Sequence, residues 1–495
     1  MVTVNSPLRA RAARAPSMML DYGFLRRTFF GVGMLLLLIS PFSLDPLAMA
    51  VGGFVPWITL SIVAKPTMPA AVVYIFLWQW SQAYARILQS MVEGEALGAG
   101  PFGSGIVHAY WYMLASLVVL ACVFRAMLGG IPKPAPEDEH AHLEWRPTDL
   151  FVLYCATLVL AVACTYASRL IPGLSQQFEA VSRLKIVAEF LLFVTVMSTG
   201  RGGKFMMAAV LFEILIGFSG MLSDFRGVFV YLLIAAIAAR LALRAGSILG
   251  GILWLTVLVG LGLFWTAVKM DYREYATGGE ESQHITIPLS ERLAYLGSQA
   301  ANPQNIDWGQ ASYALLTRFA YVDIFGSVID YQQVAREGAT GVGQWQSAFD
   351  HVFKPRILFP GKAALSDTEV FARLTGADPF EVIRGSTSIS VGYMAENYAD
   401  FGFPGMLLGI AAVGLMMAFV IRHFMRSRLP WMVRQGIVLA FVYNVAGSGV
   451  EISLPKMFGA TIMFFLVYWA LVKYALPIGL KWLYARAGGA QPHQS

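Results

Sequence analysis

The chain has 495 residues, of which 57% are hydrophobic and 13% are charged, and its mean hydropathy is +0.61. Soluble globular proteins carry about 25% charged residues, so half that proportion at this length cannot cover a water-soluble surface. The excess of 36 Lys and Arg over 30 Asp and Glu is too small to indicate nucleic-acid binding. The composition therefore predicts an integral membrane protein with no nucleic-acid partner.

Apolar runs long enough to cross a bilayer, which takes about 20 residues, recur along most of the chain. They predict an all-α polytopic membrane protein with about twelve transmembrane helices, the first nine within 28–268 and the last three within 402–475. The individual runs lie near 28–44, 47–64, 69–90, 105–128, 149–169, 180–198, 205–222, 227–243, 247–268, 402–421, 433–450 and 457–475.

Lysine and arginine are concentrated in every second short connection, beginning with the basic N-terminal segment 1–27. Because cytoplasmic loops carry the excess of basic residues, this alternation predicts that both termini are cytoplasmic, including the tail 476–495. A cleaved signal peptide is the alternative for the N-terminus, since the apolar run Met34–Ile39 precedes the small residues around Ala48. Asp45 lies ahead of that cleavage site and favours an uncleaved first helix.

The stretch 269–401 contains no run of spanning length, and the alternation predicts that it is one large periplasmic loop. Long connections are usually either functional or disordered, and the aromatic content of this one argues against disorder. The spacing of Leu315, Phe319 and Val322 predicts an amphipathic helix over 309–335. We therefore expect most of the functional residues in this loop and on the helix ends beneath it.

Several arginines lie on the outer side, where the positive-inside rule does not require a cation. Arg226 is predicted to bind a diphosphate at the membrane boundary, with Asp224 orienting its guanidinium; the alternative is an arginine that reaches to lipid headgroups. Arg318, Arg356 and Arg384 are further diphosphate-binding candidates, because the arginine fork donates bidentate, charge-assisted hydrogen bonds. For these three the alternative is surface pairing with Asp and Glu of the loop.

A carboxylate near the membrane boundary is the candidate general base. The stretch 392–405 is predicted to be a short interfacial helix that turns through Gly402 and Pro404 into the tenth span. Glu396 and Asp400 share one face of that helix at positions i and i+4, and Glu396 is the predicted base. The alternative is that both carboxylates cap or pair with neighbouring groups and have no catalytic role.

Other polar residues have competing interpretations. Within the predicted spans, Lys185, Glu189 and Glu213 form either an internal Lys185–Glu189 ion pair or a site for a coupling ion. In the loop, His284 and His351 are possible bases but are more simply explained as incidental histidines. The cysteines lie singly in apolar runs, so neither a disulfide framework nor a metal site is expected.

Two stretches and the hydropathy layout carry a family resemblance. The stretches are Ser223-x-x-Arg226-Gly227 and Gly392…Glu396-Asn397-Tyr398…Phe401-Gly402…Gly405. With many spans and one large outer loop between late helices, the chain resembles the Wzy-type O-antigen and exopolysaccharide repeat-unit polymerases of bacterial inner membranes.

The resemblance implies a glycosyltransferase-C-like helical fold and a polymerase that acts at the periplasmic face of the inner membrane. Its substrate would be an oligosaccharide carried on undecaprenyl diphosphate, and its partners would be membrane lipid and a chain-length regulator protein. Bond energy in the sugar diphosphate would drive transfer, so no cofactor is expected, and Gly200–Lys204 lacks the spacing of a nucleotide-binding loop.

Two other functions remain open on the sequence. An O-antigen ligase would share the layout and the donor but would transfer the glycan to a different acceptor. A secondary transporter or flippase of lipid-linked sugars would also have about twelve spans, but it would predict related halves and broken helices. A structural or assembly membrane protein is a further alternative.

Overall fold

The computed structural model describes residues 18–100, 103–219, 225–278, 286–334, 342–354, 359, 361, 365–378 and 389–487. The regular secondary structure of these residues is helical. Met19 and Ala242 form an isolated antiparallel bridge. The prediction of an all-α fold is confirmed for these residues.

In the described ranges up to Thr277 there are eleven α-helices. They are α1 (Tyr22–Ile39), α2 (Pro46–Val63), α3 (Val72–Glu93), α4 (Gly103–Leu128), α5 (Pro136–His140), α6 (Pro147–Leu170), α7 (Ser175–Ser182), α8 (Leu184–Thr199), α9 (Gly203–Ser219), α10 (Arg226–Ala238) and α11 (Ala245–Thr277). Their ends follow local rules: Pro46 and Pro147 open helices at positions that need no N–H donor, and Asp21 caps α1 by accepting the Phe24 N–H at 2.7 Å.

The remaining helices are α12 (Leu289–Ala301), α13 (Trp308–Phe319), α14 (Val322–Val334), α15 (Gly343–Phe353), α16 (Asp367–Thr375), α17 (Tyr393–Met425), α18 (Trp431–Ala446), α19 (Leu454–Ala470) and α20 (Leu476–Ala487). A five-residue π-helical segment, Leu471–Ala475, joins α19 to α20. Within the part of the chain described, each predicted span therefore coincides with a helix.

Seven helical segments in the described ranges are long and apolar enough to cross a membrane. They are Tyr22–Phe42, Pro46–Val63, Gly103–Leu128, Pro147–Leu170, Ala245–Thr277, Tyr393–Met425 and Leu454–Ala487. The other predicted spans correspond to helices that are shorter or less apolar, such as Arg226–Ala238 and Trp431–Ala446. The prediction of about twelve crossings therefore stays a prediction for those shorter helices.

Helices distant in sequence pack into one core. Helix α4 packs on α2, α14 and α17, while α8 lies against α6, α10 and α18. Fully buried aromatic side chains such as Phe124 of α4 and Phe190 of α8 fill these contacts. Because α14 belongs to the long connection, that connection is packed on the spanning helices.

The long connection differs in detail from its prediction. Helical structure over 309–335 is confirmed, but the chain breaks at Ala320 and Tyr321 into α13 and α14. Helix α11 also runs to Thr277, past the predicted end of the ninth span. The turn predicted at Gly402 and Pro404 is present: the backbone of α17 is non-helical at Gly402 (φ 61°) and Phe403.

Candidate functional site

Arg226 is the first residue of α10 and is held against α3. Its guanidinium carbon lies 5.3 Å from the centre of the Trp78 ring, and its Nη2 donates to the carbonyl of Gly447 at 3.4 Å. A cation over an indole face gains about 0.5–2 kcal/mol, more when it is removed from water. Gly227 makes this position possible, since a Cβ there would lie 2.8 Å from the Tyr443 hydroxyl.

The connection between α18 and α19 folds over Gln82 of α3. The Gln82 Nε2 donates to the Ser448 carbonyl at 3.1 Å and to Glu451 Oε1 at 3.0 Å, while its Oε1 accepts the Val450 N–H at 3.0 Å. Gly449 has φ of +72°, and a Cβ there would lie 1.9 Å from Gln82 Oε1. A glycine and one amide side chain thus fix the position of Glu451.

Arg318, in the last turn of α13, approaches the same place from the long connection. Its neighbour Phe319 packs edge-on against Trp78 with ring centres 4.9 Å apart. The charge of Arg318 acts on Lys269 and Arg273 of α11, and the charges of both Arg318 and Arg226 act on Glu451. We call Arg226, Lys269, Arg273 and Arg318 the basic cluster.

Glu451 is the carboxylate on which two members of the basic cluster, Arg226 and Arg318, act. Burial raises the pKa of Glu451 above its ordinary value, and the charges of Arg226 and Arg318 oppose that rise, as does the Gln82 hydrogen bond. The indole N–H of Trp78 is buried and has no hydrogen-bond partner among the described residues. The site thus combines fixed cations, a partly buried carboxylate and an unused donor, a combination suited to an anionic substrate with a hydroxyl to activate.

Glu396 and Asp400 lie in the core and bind the first turns of other helices. The side chain of Glu396 is 1% exposed and accepts the N–H of Leu454, the first residue of α19. Asp400 accepts the Gln344 N–H at 3.0 Å and the Trp345 N–H at 2.9 Å, at the start of α15. Unpaired N–H groups at a helix start attract carboxylates, so these contacts are those of the capping alternative, and the catalytic role of Glu396 stays a prediction.

The other predicted site residues fall in two groups. Asp224, Arg356, Arg384 and His284 lie outside the described residues. His351, in α15, has its Nε2 3.2 Å from the Gln176 Nε2 of α7. Both α15 and α7 pack on α19, and that packing brings the two side chains together. Of the predicted arginines, the structure brings Arg226 and Arg318 together.

The polar residues in the predicted spans pair differently from the expectation. Lys185 Nζ lies 2.6 Å from Glu213 Oε2, and the Tyr154 hydroxyl donates to Glu213 Oε1 at 2.9 Å. The predicted Lys185–Glu189 pair is therefore wrong: Glu213, on the facing helix α9, reaches the ammonium group. Glu189 is fully buried, and neither carboxylate oxygen has a hydrogen-bond partner in the described part of the chain.

Residues that the sequence did not single out complete the site. Trp78 and Gln82 are four positions apart on α3 and therefore lie on one helical face. Glu451 follows a glycine-rich stretch between two predicted spans, which is the signal that would have found it. No group of three His, Cys, Asp or Glu suited to a metal ion occurs in the described ranges.

Comparison with protein-family models, with curated proteins and with solved structures finds no match to this chain.

Proposed function

We propose that the protein is a polymerase of lipid-linked oligosaccharide repeat units, acting at the periplasmic face of a bacterial inner membrane. The proposal includes about twelve spans, cytoplasmic termini and a glycosyltransferase-C-like arrangement, in which the long connection covers the site. The observation that carries it is that Arg226 lies over the Trp78 ring, that Phe319, the neighbour of Arg318, packs against the same ring, and that both arginine charges act on Glu451. Its support in the sequence is the resemblance to Wzy-type polymerases.

The chemistry needs a clamp for the departing diphosphate. The acceptor sugar hydroxyl attacks the anomeric carbon of the donor glycan, the bond from that carbon to the diphosphate oxygen breaks, and the lipid diphosphate leaves with the bonding electrons. Fixed cations stabilise the negative charge that grows on the leaving oxygen. We assign this role to Arg226 and Arg318, with Lys269 and Arg273 adding positive charge beside them.

The acceptor hydroxyl also needs a base. We assign Glu451, because the charges of Arg226 and Arg318 both act on it, Gln82 holds it in place and its side chain is partly exposed. Burial raises its pKa above the ordinary value, which makes the carboxylate a stronger proton acceptor. The sequence favoured Glu396 for this role, but that side chain would have to release the Leu454 N–H before it reached a substrate.

One observation favours a second candidate function. Glu189 is fully buried without a hydrogen-bond partner among the described residues, beside the Lys185–Glu213 pair, and membrane-buried carboxyls occur in ion-coupled transporters. A transporter would move the lipid-linked unit without lengthening it. If the purified protein lengthens the glycan in detergent, the transporter alternative is excluded. If it does so with the lipid-linked repeat unit as its sole acceptor, a ligase is excluded as well.

The test of the proposal replaces the two arginines with lysine. If Arg226 and Arg318 bind the diphosphate through their forks, lysine keeps the charge but cannot reproduce the bidentate contact. Each loss of such a contact should cost about 2–4 kcal/mol, or roughly 10²–10³ in rate. Arg226→Lys and Arg318→Lys should therefore collapse the glycan ladder to single repeat units on the lipid carrier, measured on a gel at matched protein level.

Arg169 provides a matched control. It also lies at a helix end on the predicted outer face, and its guanidinium stacks on Tyr166 at 5.7 Å. Arg169→Lys should leave the ladder unchanged. A normal ladder from Arg226→Lys would reject bidentate binding, and a normal ladder from Arg226→Ala would remove this residue from the site.

A further inference from the structure

A cavity lies at the opposite end of the helices from the basic cluster, on the face predicted to be cytoplasmic. It has a volume of about 510 Å³, and its walls come from the start of α1 and from the connections that follow α2 and α10. Three cations line it: Arg26, Lys65 and Arg240. Two carboxylates also line it: Asp21 caps α1, and Glu139 pairs with Arg240 at 3.4 Å. Among the described residues, no ion pair joins Arg26 or Lys65 to either carboxylate, and the lining keeps one net positive charge.

The backbone is fixed where Arg240 enters the cavity. Arg240 has a φ of 48°, and the other described residues with positive φ are all glycines. Non-glycine residues held in this region are strained and occur often at ligand sites. The next residues are paired with the N-terminal segment, because the Leu20 N–H donates to the Leu241 carbonyl at 2.9 Å and the Leu243 N–H donates to the Met18 carbonyl at 2.7 Å.

The cavity continues along an apolar surface. A second cavity of about 460 Å³ shares Gly23 and Arg26 with the first and adds Arg27, Phe30 and Trp57. The rings of Phe30 and Trp57 lie 5.4 Å apart, and Phe30 is 45% exposed. Both belong to helices long and apolar enough to cross a membrane, so this part of the groove would face acyl chains.

We propose that this groove binds one anionic phospholipid. The lipid phosphate lies in the cavity among Arg26, Lys65 and Arg240, and its acyl chains follow Phe30 and Trp57. Cations beside a membrane attract anionic headgroups by charge, while an aromatic extension adds contact area that a free phosphate cannot use. Because the cations and the exposed aromatic rings line one continuous groove, a lipid can contact both, whereas a soluble anion can contact only the cations.

The experiment measures lipid retention by the purified full chain. Native mass spectrometry of the protein in detergent, titrated with phosphatidylglycerol or phosphatidylcholine, should show one phosphatidylglycerol bound and little phosphatidylcholine. Each cation removed should weaken binding about five-fold, so Arg26→Gln combined with Arg240→Asn should weaken it about 25-fold. Asparagine suits positive φ, and Arg26→Gln alone changes an exposed helix position, so both variants should remain folded.

The control is Arg201→Gln, which removes an exposed cation on the same predicted face but outside the groove. It should retain phosphatidylglycerol as the original protein does. Equal retention by the folded double variant, or equal binding of phosphatidylcholine, would overturn the proposal. Displacement of the lipid by millimolar inorganic phosphate would identify a site for soluble anions and would equally overturn it. Because no glycan transfer is measured, these results are independent of the polymerase assignment.

Discussion

Replacing Glu396 and Glu451 separately by glutamine distinguishes a helix cap from a general base. In the Glu396→Gln variant the side-chain amide oxygen would still accept the Leu454 N–H, so only the charge of that hydrogen bond is lost. Hydrogen bonds to charged groups stabilise by about 1.5–3 kcal/mol and neutral ones by about 0.5–1.5 kcal/mol. Glu396→Gln should therefore lower the free energy of unfolding by about 1 kcal/mol and leave the glycan ladder nearly normal.

Truncation at the same position should be more damaging. Leu454 is fully buried, so Glu396→Ala leaves its N–H without a partner or water. An unsatisfied buried donor costs about 1–3 kcal/mol, and the lost side-chain packing adds to this. We expect Glu396→Ala to lower thermal stability in detergent, with any loss of polymer following the loss of folded protein.

The effect of Glu451→Gln should be the reverse. Gln82 can still donate to an amide oxygen at this position, so the fold should be retained, but the proton acceptor is gone. Loss of a general base typically costs about 10²–10⁴ in rate. Polymerisation by purified protein, assayed with matched amounts of folded enzyme, measures this. If Glu396→Gln abolished polymer at normal stability while Glu451→Gln polymerised normally, Glu396 would be the base and our assignment of Glu451 would be rejected.

Two further predictions concern topology and pH. A reporter that works only in the periplasm should be active when it is fused near Gly341, because the alternation of basic residues places the loop 269–401 outside. Activity there of a reporter that works only in the cytoplasm would refute this orientation and the periplasmic site. Burial raises the pKa of Asp323 to about 6, with Arg86 opposing and Glu93 reinforcing the shift. A carboxyl whose folded pKa exceeds its ordinary 3.8 stabilises the fold at low pH, and this contribution is lost as pH rises through the folded pKa. Unfolding temperatures measured from about pH 4 to about pH 7 should show that loss, and Asp323→Asn should flatten it; an unchanged profile in the variant would assign the loss to other groups.

The sequence predicted the helices well because spanning runs are encoded by composition alone. It located Arg226 for a similar reason, since a cation on the outer side departs from the basic pattern of the chain. It did not identify which carboxylate accompanies the arginines. Glu396 and Asp400 stood out by their helical spacing, but that spacing says nothing of which backbone N–H groups lie nearby. Only the packing of α19 and α15 against α17 shows that both carboxylates meet helix starts.

Glu451 and Gln82 were missed because their roles come from contacts between parts of the chain 369 residues apart. The same reason explains the error at Lys185. Glu189 is one turn away on the same helix, whereas Glu213 comes from a facing helix and lies nearer. Local spacing therefore found candidate charges, and tertiary packing selected their partners.

One face of α3 sets the position of the whole candidate site. Trp78, Gln82 and Arg86 follow one another at intervals of four residues, so they form a stripe along the helix. Trp78 packs under Arg226 and against Phe319, while Gln82 holds the connection that carries Glu451. The residues proposed as the clamp and the base are therefore both positioned by the same helix.

The same stripe fastens the long connection on both sides of Arg318. Ahead of it, the Tyr313 hydroxyl donates to Glu93 at the end of α3, at 2.7 Å. Behind it, Asp323 Oδ1 lies 3.5 Å from Nε of the buried Arg86. A segment anchored at two points to α3 has little freedom to move Arg318 relative to Arg226. Under the proposed function, two cations whose helices are restrained in this way would lose less entropy on binding a diphosphate. The folded connection outside the membrane helices would supply that restraint.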